Sequence, residues 1–322
     1  MKRYWLYIVA IGLLLSACGT KQTNVQTASA ADFCADSAYR YVADQVDFGA
    51  RVPRTMAHYD CAKYLEQQLR RFGLQVSIQQ GQMPDYEGKM QPIYNIMGSY
   101  LPGQRNRILL CAHYDSRPWA DQEEDYDKRH QPVLGANDGA SGVGVLLEIA
   151  RQLSLQQPDK GVDIVFFDAE DMGTPEFYTG KEREDTWCLG SQLWAQRLKA
   201  EKATKQYQYG ILLDMVGAPD AVFPKEYYSM QYAADYVEHL WRTAQQLGYT
   251  QYFRSANAYP ITDDHYYVNT IAGVPCVDII HYNQQSYTGF VPYWHTLGDD
   301  MRNISKTTLE AVGKTVLTAI TR

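Results

Sequence analysis

Residues 162–171 read VDIVFFDAED: a strand-length apolar run that stops at Asp168, Glu170 and Asp171. The same arrangement recurs along the chain. ILLCA (108–112) runs straight into His113-Tyr114-Asp115-Ser116, and ILL (211–213) ends at Asp214. The apolar run Val274–Ile280 is followed by Trp294-His295-Thr296, and Asp138 sits in GANDG (135–139) at the start of an apolar helical stretch, Gly142–Leu155. Apolar runs of this length, without polar alternation, are strands buried on both faces. Two further strands are expected at Leu74–Gln79 and Tyr94–Tyr100. Helical periodicity covers Ser37–Phe48, His58–Phe72, Leu189–Ala200, Tyr232–Leu247 and Lys306–Ile320. Strands alternating with helices predict a single α/β domain over residues 32–322, with a central, mostly parallel mixed sheet flanked by helices on both faces. In such a sheet, ligands bind beyond the carboxyl ends of the strands, which is where the acids and imidazoles gather.

The chain has 322 residues, 45% of them hydrophobic and 21% charged, which excludes a disordered or low-complexity polymer. A formal charge of −7, with no Lys/Arg-rich run, argues against nucleic acid as a partner. Lys2 and Arg3 precede the apolar run Trp5–Leu15, too short to span a bilayer and of the form of a secretory signal. Leu15-Ser16-Ala17-Cys18 resembles a bacterial lipobox. That resemblance implies a lipoprotein signal peptide over residues 1–17, lipidation of Cys18, a flexible tether over 18–31, and a cell-envelope location facing the periplasm or on the outer membrane. An ordinary signal peptide that happens to contain a cysteine is the alternative. Five cysteines remain after Cys18: Cys34, Cys61, Cys111, Cys188 and Cys276. None forms a C-x-x-C. Cys34 and Cys61 are candidates for a disulfide in an oxidising compartment, and Cys111 and Cys276 read as small buried hydrophobes.

An Asp after a strand is ordinarily a turn or capping residue. Several acids drawn to one sheet edge are a different matter, because like charges raise one another's pKa and resist burial together. A divalent cation resolves the conflict. Asp, Glu and His without Cys favour a catalytic zinc, with one coordination position left for water or substrate. Adjacent carboxylates such as Glu170 and Asp171 suit a division of labour, one holding metal and the other moving protons.

HYDS (113–116), GANDGASGVGVLLEIA (135–150), VFFDAED (165–171), LLDMVG (212–217), DDH (263–265) and WHT (294–296) together resemble the zinc-dependent exopeptidases of the aminopeptidase fold. Within that family the chain is most similar to the glutaminyl cyclases. The resemblance implies one zinc held by Asp138, Asp171 and His295, with Glu170 as general acid/base and Asp214 and Asp263 as the carboxylates beside it. It also implies Trp294 as a pocket wall, Trp187 as a second pocket tryptophan, and Ile261 and Phe290 as further walls. The loop from Gly173 to Asp185 has no counterpart in the family. Asp171 stands where the family usually has glutamate, one methylene longer. His113 matches a ligand of the two-zinc aminopeptidases that cyclases also keep.

Two enzymatic readings therefore share these residues. As a cyclase, the chain would use one zinc and convert the N-terminal glutamine of peptides or proteins to pyroglutamate with release of ammonia. As an aminopeptidase, it would bind two zincs through a shared Asp138, with His113 and Asp171 at one and Asp214 and His295 at the other, and Glu170 would activate water. A third reading, a non-catalytic lipoprotein binding module, would be marked by loss of Glu170 or of a ligand, and none is lost. Trp294 directly before His295, and the Asp263-Asp264-His265 run, favour the cyclase. Oligomeric state is not legible in the sequence.

Overall fold

A computed structural model describes residues 32–181, 183–201 and 207–322. The expected signal peptide and tether, and Cys18, lie outside the described residues. Two helices open the fold, α1 (Ala35–Val46) and α2 (Met56–Arg71). Three strands follow, β1 (Gln75–Pro84), β2 (Met90–Tyr100) and β3 (Arg107–His113). Next come α3 (Ala140–Gln156), β4 (Val162–Phe167), α4 (Leu189–Ala200) and β5 (Tyr207–Asp214). The carboxyl-terminal part holds β6 (Phe223–Lys225), α5 (Tyr227–Gln246), β7 (Phe253–Asn257), α6 (Asp264–Tyr267), β8 (Cys276–Ile280) and α7 (Lys306–Thr321).

The main sheet has the order β1-β2-β4-β3-β5-β8. The pairings β4–β3, β3–β5 and β5–β8 are parallel, while β1–β2 and β2–β4 are antiparallel. This is the mixed, mostly parallel sheet expected from the sequence. Its central strands alternate between two cores. Ile108, Leu110, Ile164, Phe166, Ile211 and Leu213 point into the core built with α1, α2, α3, α5 and α7. Leu109, Cys111, Val165, Phe167 and Leu212 point to the opposite core, closed by Trp194 and Ala195 of α4 and by Val268. Burial on both faces is why these strands carry no polar alternation. Asp163, the one acid inside β4, is held by Arg107 at 2.6 Å and by Ser99 and Tyr207.

The expected α4 and β4 coincide with the observed elements. Helix α5 starts five residues before the expected Tyr232, and β8 two residues after the expected Val274. The two-stranded β6–β7 sheet was not legible, because strands of three and five residues carry too few positions to establish a period. Cys34 and Cys61 are free thiols. Cys111 and Cys276 are fully buried, as expected.

Helix α3 matters most for the site, because Asp138 lies just before it. Almost its whole first three turns are buried, from Ala140 to Ala150. It approaches the strand ends so closely that a Cβ on Gly142 would stand 2.1 Å from the Leu213 carbonyl oxygen and 3.0 Å from the Ala112 Cβ. Only glycine permits that approach, and it brings the residues before α3 beside the ends of β3 and β5. Gly142→Ala should therefore lift the helix and cost about 1–3 kcal/mol, the usual range for overpacking a dense core. The check is a lower denaturant midpoint with an unchanged slope.

Candidate active site

The site lies beyond the carboxyl ends of β3, β4, β5 and β8. Asp138, Glu170, Asp171, Asp214, Asp263, Ile261, Phe290, Trp187, Trp294 and His295 all line one cavity of about 190 Å³, together with Met215, Thr262 and Ile280. Every lining residue expected from the sequence is in it. His113 lies immediately behind, fully buried, with Nε2 2.9 Å from Asp138 and 3.2 Å from Asp214.

Each acid has a structural reason for its position. Asp115, two residues past the end of β3, accepts the backbone N–H groups of Glu170 (3.1 Å) and Asp171 (3.2 Å), so the loop after β4 is drawn to the loop after β3. Asp299 accepts the N–H groups of Asn137 (2.7 Å) and Asp138 (3.1 Å) in the same way. Arg51, wholly buried, donates to the carbonyls of Tyr114, Leu134 and Gly135. The approach of Asp138 to His113 needs Gly139, where a Cβ would fall 2.4 Å from the His113 carbonyl oxygen. Asp263, at the start of α6, is buried with one carboxylate oxygen lacking any partner.

The two imidazoles are held alike. His295 Nε2 faces Asp171 at 3.1 Å and Asp138 at 3.6 Å, and its Nδ1 faces Asp121 at 3.4 Å. His113 faces Asp138 and Asp214 with Nε2, and its Nδ1 faces Asp115 at 3.4 Å. A carboxylate on one ring nitrogen orients the other toward a metal. Ligand atoms of Asp138, Asp171 and His295 lie within 4.8 Å of one another, as do those of His113, Asp138 and Asp214. Asp171 Oδ2 is buried without a hydrogen-bond partner. Two carboxylates, an imidazole and an orphaned carboxylate oxygen are a donor set that fits zinc. The shorter Asp171 side chain still reaches His295, with its loop pinned from below by Asp115.

The electrostatics report excess negative charge. Burial, and then the Asp171 and Asp214 carboxylates, push Asp138 up to about 6. Burial, and then the charge of Asp171, raise Glu170 well above the usual glutamate value. Asp263 is raised well above its usual value by burial and by Asp214. Burial opposes charge on His113, but hydrogen bonds to Asp115, Asp138 and Asp214 outweigh it and hold this imidazole well above the usual histidine range. His295 is raised by Asp171 and Asp121 against the same burial penalty.

Aromatic rings close the cavity. Trp294 stacks on the His295 ring at 3.7 Å, Phe290 packs on Trp294 at 4.8 Å, and the Trp187 ring lies parallel to His295 at 6.0 Å. Sequence reasoning missed what holds Trp187 and His295. The Arg117 guanidinium, 1% exposed, sits 4.5 Å over the Trp187 ring. It also donates to the Asp171 and Gly173 carbonyls and pairs with Asp121 at 2.5 Å. Asp121 in turn faces His295. Neither residue has a periodic or motif signal. The one clue was Arg117 directly after HYDS.

The sequence pattern of peptidase family M28 matches residues 95–320. Among curated proteins, the chain is 26% identical over 253 residues to a glutaminyl-peptide cyclotransferase of Boiga irregularis, covering 68% of this chain and 62% of that one. Among solved structures, a Zn-dependent exopeptidase from Parabacteroides distasonis shares 49% identity at a TM-score of 0.88, over 91% of this chain and all of that one. The glutaminyl cyclase of Tannerella forsythia shares 49% identity at a TM-score of 0.86, over 90% of this chain and 99% of that one. Matched residues that span the strand ends and the whole buried cluster leave one assignment: the chain belongs to peptidase family M28.

Proposed function

We propose that this chain is a zinc-dependent glutaminyl-peptide cyclotransferase, closing the N-terminal glutamine of peptides or proteins to pyroglutamate with release of ammonia. The observation that carries this reading is a carboxylate trio, Glu170, Asp214 and Asp263, at a small aromatic-walled cavity beside the Asp138–Asp171–His295 set. A cavity of about 190 Å³ suits one side chain with its terminal amide. Pockets for drug-sized ligands begin at about 300 Å³. The names borne by the Boiga and Tannerella relatives support the same activity.

Asp138, Asp171 and His295 would hold one zinc per chain, and zinc in that position supplies Lewis acidity toward a carbonyl oxygen. The remaining work falls to the chain's own groups. The substrate's α-amine attacks its own γ-amide carbon: the new C–N bond closes the ring, and the bond to the amide nitrogen breaks. Glu170, raised in pKa by burial and by Asp171, takes a proton from the amine and delivers it to the departing ammonia. Asp214 and Asp263 line the cavity with Glu170, where they would hydrogen-bond the nitrogen during transfer. Trp187, Trp294, Phe290 and Ile261 fold the substrate on itself and exclude water. Orientation of this kind is a major source of rate in an intramolecular closure.

One observation favours the second reading, a two-zinc aminopeptidase: His113, Asp138 and Asp214 form a further set of converging donors, so around the shared Asp138 it is Asp214 that joins His113 and Asp171 that joins His295, the reverse of the pairing expected from the sequence. Incubation with a glutamine-initiated peptide separates the two. The cyclase releases ammonia and leaves a blocked amino terminus, whereas appearance of free amino acids supports the peptidase instead. The lipid anchor at Cys18 and the periplasm-facing or outer-membrane location are part of the proposal and rest on the lipobox alone. Cys18→Ala should move the protein from the membrane to the soluble fraction, and an unchanged distribution removes the anchor. Glu170→Gln should keep its zinc and lose about 10²–10⁴ in turnover, the usual contribution of a positioned acid/base. His295→Ala should lose both metal and activity, as followed by elemental analysis and ammonia release.

A further inference from the structure

Cys188 lies in none of the motifs that define the site, yet its sulfur is 3.1 Å from Glu170 Oε1. The other two buried thiols with described partners make looser contacts to carbonyls, 3.6 Å for Cys111 and 3.9 Å for Cys276. Among the described residues, no other protein hydrogen bond reaches the Glu170 carboxylate. Cys188 immediately precedes α4 but makes no side-chain cap to it, so its thiol serves the neighbouring loop rather than its own helix. The backbone is arranged for this. Cys188 adopts a left-handed conformation, φ +56°, which disfavours a residue with a Cβ. Its N–H donates to the Glu170 carbonyl at 2.9 Å, and that of Leu189 to the Ala169 carbonyl at 3.1 Å. Gly190 lets the two segments touch, since a Cβ there would meet the Asp168 carbonyl oxygen at 2.3 Å.

We propose that Cys188 is a positioning residue for the reaction, its S–H group donating to Glu170 Oε1 and fixing the carboxylate toward the cavity. The inference rests on Glu170 being the acid/base. Burial and the adjacent carboxylate keep Cys188 a neutral thiol, raised well above the usual cysteine value, so it is a hydrogen-bond donor and not a nucleophile. A neutral donor has a specific advantage here. A Lys or Arg in its place would stabilise the glutamate anion strongly and blunt its capacity to take up a proton, whereas a thiol is a weak donor that orients without trapping the charge.

The test compares wild type, Cys188→Ala, Cys188→Ser and Glu170→Gln at matched zinc content. Cys188→Ala should lose about tenfold in kcat with KM and bound zinc unchanged, the loss expected when one hydrogen bond to a catalytic group is removed. Cys188→Ser, which restores a donor, should recover most of it. Infrared absorption of the thiol stretch supplies a readout that does not depend on turnover. The band that Cys188→Ser removes should lie at lower frequency than those of the other thiols, and it should move upward in Glu170→Gln. Wild-type kcat in Cys188→Ala, or a Cys188 band insensitive to Glu170, overturns the assignment. So does an equal loss in Ala and Ser variants that tracks zinc or melting temperature. Rates are read on both ammonia and amino-acid release. A wild-type enzyme active only in the second removes the cyclase reading, and the Cys188 variants are then judged on the peptidase rate, where Glu170 also handles the proton.

Discussion

Six carboxylates, Asp115, Asp138, Glu170, Asp171, Asp214 and Asp263, are buried together beyond the carboxyl ends of the parallel strands of a mixed sheet, and they cannot all carry charge without a cation among them. The need for positive charge organises the rest. Two imidazoles, His113 and His295, face the cluster, each backed by a carboxylate on its far nitrogen. Two fully buried arginines stand further out, where they fix loops instead of neutralising the acids directly: Arg51 ties down the segment before Asp138, and Arg117 the segment after Asp171. Asp171, though paired with His295, keeps one buried carboxylate oxygen without a partner, and it is there that ligand atoms of Asp138, Asp171 and His295 converge.

The fold meets this constraint with strands that end in step. β3, β4, β5 and β8 lie side by side in parallel, so whatever follows each strand arrives at the same rim. Helix α3 then adds Asp138 from above, through glycines that let backbone touch backbone. The loops are tied by backbone N–H groups donating to buried carboxylates, a form of hydrogen bond stronger than its neutral counterpart.

The sheet was legible because it resides in short-range pattern: an apolar run gives the strand, and the polar residue directly after it lies at the rim, as with Asp168 and Asp214. The set Asp138, Asp171 and His295 was reached through the family resemblance, and the structure places all three at one cavity. The supporting contacts were not legible. Arg117 reaches the Asp171 carbonyl across 54 positions and Asp115 reaches the Asp171 N–H across 56, and no periodicity encodes a contact between two loops. Trp187 was reachable only through resemblance, since its loop differs from the family's, and the structure nevertheless sets its ring parallel to His295. The short β6–β7 pair was lost for want of length, and the early start of α5 because its tyrosine-rich first turn, Tyr227-Tyr228-Ser229, carries little amphipathic signal.

The most direct measurement is anomalous diffraction from crystals of the zinc-loaded protein, recorded on both sides of the zinc edge. The account predicts one strong peak per chain, bounded by Asp138, Asp171 and His295, with His113 still bonded to Asp138 and Asp214. A second peak of comparable height between His113, Asp138 and Asp214, or none within the first set, would contradict it.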